Sequence, residues 1–246
     1  MTKTNQQKVK DFLINNGVII VMFILVIYTG FTSDNFFTKN NFMNILMNMS
    51  SRLVIALGIA GCVITAGCDL SAGRMIGFGA CISGMLLQRM DYSGKFFPDM
   101  QPLNVFVVAL IAMLVCAAFG TVTGFFIAYL NVPPFIATLA MMEIVYGIGL
   151  IVTNATPLGG YVEQYTNVSN GKFLGINYLI WIAIIVAAIT WFIFNMTRHG
   201  KYMYAIGGNP QAAEVAGVPV KLTLILIYMK AAAMYGLAGF MLGAKS

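Results

Sequence analysis

The sequence predicts an all-α, polytopic transmembrane helical bundle of about seven spans, and three observations carry that prediction. Hydrophobic residues make up 59% of the chain and charged residues 9%, where soluble domains hold about 45–50% and about 25%. So few charges cannot keep a water-facing surface solvated, which leaves the bilayer as the solvent. Apolar runs approaching the ~20 residues that cross a hydrocarbon core recur along the whole length. Within them glycines recur in pairs: Gly58 and Gly61, Gly77 and Gly84, Gly120 and Gly124, Gly236 and Gly239. Small residues let helices approach closely where a hydrophobic drive between them is missing.

Taken in order, residues 1–16 carry Lys3, Lys8 and Lys10 and read as a cytoplasmic N-terminal segment. Residues 17–246 then form one transmembrane domain. Span one covers about 17–32. Its basic flank and short apolar core also fit a signal peptide, but residues 29–33 make a poor cleavage site and further spans follow, so a retained helix is expected. Span two covers about 53–68 and is entered by a helix starting near Asn41. Asp69, Leu70 and Ser71 interrupt the apolar run before span three at 72–87. Residues 89–101 are polar, contain Pro98 and read as an exposed loop.

Span four, 103–129, stops at Pro133 and Pro134, which remove donors and disfavour a continuing helix. Span five follows at 135–152, then a loop at 153–177 with Pro157, Gly159 and Gly160. Spans six and seven occupy 178–194 and 222–242. The end at Ser246, directly after span seven, reads as a C-terminal truncation. A cytoplasmic N-terminus places the Asp69 break, the Pro133–Pro134 turn and the basic segment 198–221 inside, and the 153–177 loop outside.

The formal charge of +6 comes without a dense basic stripe, which argues against nucleic-acid binding. Cys62, Cys68, Cys81 and Cys116 lack paired metal-ligand spacing and read as small buried hydrophobes. One histidine, His199, offers neither a His-based metal cluster nor a nucleophile with a base, which disfavours a membrane enzyme. Four charges fall in or beside spans. Asp69 and Arg74 are five apart, either an ion pair fixing a bent backbone or a snorkelling pair at the inner interface. Glu143 and Lys230 lie near the middles of spans five and seven, where each costs about 2.5–3.5 kcal/mol. They pair with each other, line an aqueous path, or make a structural contact within the bundle. Thr138, Tyr146, Asn154 and Thr156 are further polar positions that could contact a polar solute.

Residues 207–219 carry the fullest punctuation. Asn209 suits an N-cap, Pro210 the first helical position, Gly217 the left-handed residue past the end, and Pro219 a stop. Between them Ala212, Ala213, Val215 and Ala216 form a small smooth surface with Glu214 as the lone charge. A helix of about two turns is unstable alone, so it docks on something: a groove on a cytosolic partner, or its own membrane interface.

These residues resemble the cytoplasmic coupling loop of bacterial ATP-binding-cassette importer permeases. Asn44, Ile45 and Leu46 with the run from Asp69 through Ser71 to Arg74 resemble an early block of the ribose/galactose branch. The run from Asn131 through Pro133, Pro134 and Thr138 to Leu139 is similar to that branch's central motif. Ala72, Arg74 and the run from Ile144 to Gly147 resemble galactose/methyl-galactoside members more than ribose members. The likeness extends over about 41–242. It implies a multi-pass subunit of the bacterial inner membrane, working as a homodimer with a cytoplasmic ATPase subunit and an extracytoplasmic sugar-binding protein. It assigns Asn209, Pro210, Ala212, Ala213, Glu214 and Gly217 to ATPase coupling, and makes Asp69, Ser71, Arg74, Pro133, Pro134, Thr138, Glu143 and Lys230 path or motif candidates. No cofactor is expected on this chain, which has no phosphate-cradling glycine loop; ATP with Mg would sit in the partner. A proton- or sodium-coupled secondary transporter is the rival, since Asp69, Glu143 and the Pro133–Pro134 break fit intramembrane ion sites and broken helices.

Overall fold

A computed structural model describes residues 5–33 and 35–245, with side chains from Leu13 onward. Lys3, Ser246 and the side chains of Lys8 and Lys10 lie outside the described residues. Contacts divide the chain into two units, Met1–Leu46 and Met47–Ser246.

The first unit holds α1 (Asn5–Thr32) and the start of α2 (Lys39–Ile64). Among the described residues six helices are long and apolar enough to cross a membrane, and the Leu13–Thr32 window of α1 holds no buried residue. It has the surface of a helix solvated by lipid. Between α1 and α2, Ser33 N–H donates to Thr29 O at 3.0 Å and Asn41 Nδ2 donates to Phe36 O at 2.8 Å.

The second unit is built around α4 (Val105–Tyr129) and α10 (Val220–Gly243), packed antiparallel. Glycine sets their spacing. An added Cβ at Gly124 would stand 2.7 Å from Ile225 Cα, and one at Gly236 2.8 Å from the Ala112 carbonyl carbon. α3 (Ala72–Leu86) closes on the same pair, where a Cβ at Gly79 would lie 2.9 Å from Gly236 O and one at Gly239 2.8 Å from Ala80 N. Backbone thus meets backbone across three helices, the contact that lipid-solvated helices use in place of bulky cores. α5 (Pro134–Val152) packs against α3 with Phe78, Met141 and Val145 in the shared core, and α7 (Tyr178–Met196) borders a second cluster around Leu179, Ala183 and Met241.

The predicted span boundaries fall within a few residues of these helices, apart from the start of α2, and span three, expected at 72–87, is the short helix α3. α3 has 15 residues, about 22 Å of helix against a ~30 Å hydrocarbon core. The architecture is therefore six long helices and one short one. The Asp69 break does not lie at the inner interface. After Ile64 the chain turns through Ala66, at φ 57°, and re-enters the bundle, where Tyr228 Oη donates to Cys68 O at 3.3 Å and Tyr235 Oη donates to Asp69 Oδ2 at 3.0 Å. Those tyrosines bound the middle third of α10, so α3 starts level with the middle of that helix rather than at its end.

At one end of this unit the α3 C-terminus organises the loops: Val162 N–H donates to Leu87 O at 2.9 Å, Arg89 N–H to Gly160 O at 2.8 Å, and Gln88 Nε2 to Gly159 O at 3.1 Å. The 153–177 segment is more ordered than a loop, with α6 (Glu163–Asn170) and a two-residue antiparallel pair, β1 (Lys172–Phe173) and β2 (Ile176–Asn177). Tyr165 anchors α6 by donating to Phe240 O at 2.8 Å. At the opposite end lie α8 (Arg198–Gly208) and α9 (Pro210–Val215). There Lys221 Nζ stands 5.2 Å over the Tyr129 ring, which joins the start of α10 to the end of α4.

Candidate functional site

The helix predicted from 207–219 forms as its punctuation dictates. Asn209 Oδ1 accepts from Ala212 N–H at 3.0 Å, Pro210 occupies the first turn, and Gly217 takes φ +82°. Val218 N–H donates to Ala213 O at 3.0 Å and Gly217 N–H to Glu214 O at 2.9 Å, satisfying carbonyls that a short helix would leave bare. α9 is held between α8 and α10 by Ala213, which is buried. That corrects the expectation for Ala213: its methyl faces the protein and cannot be part of an outward contact. Ala212, Glu214, Val215 and Ala216 face out, and Val215 is 91% exposed. Val215 thus leaves an apolar side chain almost wholly uncovered on a capped helix.

The second region lies at depth, between α3 and α5. Asp69 and Arg74 do not pair, contrary to both readings of their spacing. Asp69 Oδ1 accepts from Ser71 N–H at 3.0 Å and from Ser71 Oγ at 2.6 Å, with Tyr235 on Oδ2. The carboxylate, wholly engaged, pins the re-entrant turn and the start of α3 to α10. Arg74 instead stacks its guanidinium 3.8 Å over the Tyr146 ring of α5. The two line an open cavity of about 200 Å³ with Gly73, Gly77, Cys81, Gly149 and Leu150. Arg74 follows the level of α4's middle, because the neighbouring Met75 O faces Cys116 Sγ at 3.7 Å.

The remaining candidates scatter. Glu143 is exposed on α5, one turn before Tyr146. Among the described residues no ion pair joins Glu143 to Lys230. Lys230 lines a separate small cavity with Thr190, Phe194, His199 and Met203. Burial and then the Lys230 charge hold the His199 imidazole down to about 4. Thr138 is fully buried and donates back to Pro134 O at 2.8 Å, so its hydroxyl serves its own helix and faces no path. Pro133 and Pro134 start α5 after Asn131, which takes φ 52°. Asn154 and Thr156 sit in the exposed turn after α5. Tyr228 and Tyr235, the anchors of the re-entrant turn, went unread because nothing in an apolar run marks a tyrosine whose hydroxyl meets a carboxylate 166 residues away.

A family profile described as "Branched-chain amino acid transport system / permease component" matches residues 41–246. The galactose/methyl galactoside import permease protein MglC of Escherichia coli K12 is 39% identical, over 98% of this chain and 74% of its own length. Its counterpart in Haemophilus influenzae is 40% identical over 98% and 74%. The ribose import permease protein RbsC of Escherichia coli K12 is 31% identical over 94% and 69%. No solved structure matches the chain. A membrane bundle with a capped stub between its last two long helices, matched over most of its length by import permeases, belongs to this family of transport-system permease components.

Proposed function

We propose that this permease admits galactose or a methyl galactoside through the inner membrane, driven by a cytoplasmic ATP-binding-cassette subunit that hydrolyses ATP-Mg. A second copy of the permease and an extracytoplasmic sugar-binding protein complete the assembly. The observation that carries the reading is α9: a docked, doubly capped helix whose exposed face is Ala212, Glu214, Val215 and Ala216. Asn209, Pro210 and Gly217 hold its shape, and an ATPase groove receives Val215. Identities of 39–40% to galactoside permeases against 31% to a ribose permease favour the hexose.

The N-terminus is cytoplasmic in this reading, which puts α9, the Pro133–Pro134 turn and the Lys221–Tyr129 contact on the ATPase side. Movement of α9 then passes into α10 and, through their glycine contacts, into α4 and α3. Reconstitution in proteoliposomes with the cognate ATPase and binding protein tests this. Galactose-loaded binding protein is expected to stimulate ATP hydrolysis and ATP-dependent galactose uptake. Uptake driven by a proton or sodium gradient without ATP would contradict it and favour the secondary-transport rival.

A further inference from the structure

We propose that Arg74 and Tyr146 form a contact station for the sugar in transit, an inference that rests on the sugar-import reading. The first support is placement. Arg74 is exposed at the level of α4's middle, where a guanidinium facing lipid costs about 2.5–3.5 kcal/mol. Among the described residues no carboxylate lies within ion-pair distance of it. The side chain is thus directed to neither lipid nor an internal counter-ion, and a water-filled path is the environment that accommodates it.

The second support is the behaviour of the glycines. At Gly79, Gly124, Gly236 and Gly239 an added Cβ would strike backbone, so these positions set helix spacing. At Gly73, Gly77 and Gly147 an added Cβ meets nothing within 4 Å. Gly73 and Gly77 lie in the same cavity as Arg74 and Tyr146. Their missing side chains serve no helix contact in this chain; they leave room beside the cation.

The chemistry fits an uncharged polyol. A guanidinium stacked on a ring keeps its five N–H donors in plane and free at the edge, which suits sugar hydroxyl acceptors. The exposed part of the Tyr146 ring offers an apolar face to the C–H side of a pyranose, and a neutral solute leaves no charge to trap it. Binding at such a station is weak by construction, since one cation and one ring give few contacts, and a transported solute must leave.

The test places Gly77→Cys in a permease whose Cys62, Cys68, Cys81 and Cys116 are replaced by alanine, reconstituted with the ATPase and binding protein. A charged, water-soluble methanethiosulfonate is expected to label Gly77→Cys and cut galactose uptake at least tenfold, with labelling slowed during turnover. Arg74→Ala is expected to cut uptake at least tenfold while thermal stability stays at the wild-type value, with Arg74→Lys intermediate. Labelling without loss of uptake, wild-type uptake by Arg74→Ala, or a Gly77→Cys disulfide between two permease copies would overturn the station and leave the sugar reading standing. Absent uptake by the wild-type assembly would overturn the sugar reading, and the station with it.

Discussion

Asp69 is held by Ser71 from its own turn and by Tyr235 from α10, so removing the carboxylate strands a buried hydroxyl and frees the re-entrant backbone. Hydrogen bonds to charged groups contribute about 1.5–3 kcal/mol each way they are lost. Asp69→Ala is therefore expected to destabilise the detergent-solubilised permease by about that much, read as a lower midpoint in size-exclusion thermostability. Asp69→Asn, which keeps an acceptor, should lose less. His199 gives a pH prediction at the same scale. Its folded value of about 4 lies below the unfolded value near 6.5, so the unfolded chain takes up a proton that the folded chain refuses. The stability it contributes is complete above about 6.5 and is lost as pH falls towards about 4. Wild type should lose more thermal stability than His199→Gln between pH 7 and pH 5; equal losses would contradict the burial of that imidazole. The sequence marked Asp69, Arg74, Glu143 and Lys230 as residues needing an explanation, because ionisable groups are costly in apolar surroundings. It could not supply partners: the spacing of Asp69 and Arg74 invited a pair, but α3 turns Arg74 towards α5 and leaves Asp69 facing α10.

Glycine decides how the elements associate, and its two uses separate by mutation. Gly124→Leu places a side chain where Ile225 Cα already stands, and overpacking of this kind costs about 1–3 kcal/mol or more. Gly77→Ala adds a methyl to open space within α3 and should raise stability by about 0.4–1 kcal/mol. Thermal melts of the two variants in the same detergent check this, and a Gly124→Leu midpoint equal to that of Gly77→Ala would contradict the packing described. The helices themselves were legible, since apolar length, Pro133, Pro134 and the caps at Asn209 and Gly217 are local signals. α3's length was legible too, but the depth of the turn before it was not, because residues 53–87 read as two apolar runs whichever depth that turn reaches. α6 and α8 were also unread: short, polar-flanked helices depend on anchors such as Tyr165 on Phe240 and Met203 in the core, which are distant in sequence.

For the whole molecule, the proposed coupling has a continuous packed route to follow. α9 is seated by Ala213, continues through Gly217 and Pro219 into α10, and α10 is locked to α4 by Gly120, Gly124 and Gly236 and clasped at its start by Lys221 on Tyr129. α5 follows α4 through Asn131, Pro133 and Pro134, packs on α3 through Met141 and Val145, and brings its Tyr146 against Arg74 at the cavity. In the coupling proposed above, a displacement at α9 passes into α10 and, through the glycine contacts, into α4 and α3. The class of membrane bundle was plain from composition; which helices pack together was not, because helix pairing is written in glycine contacts that look alike in sequence whether they meet backbone or open space. Val215 is the outermost point of this proposed route, and a photo-crosslinking side chain placed there in the assembled importer tests it most directly. The account predicts a covalent adduct with the ATPase subunit whose yield changes when ATP is bound. Adducts with the extracytoplasmic binding protein or with lipid, and none with the ATPase, would contradict it.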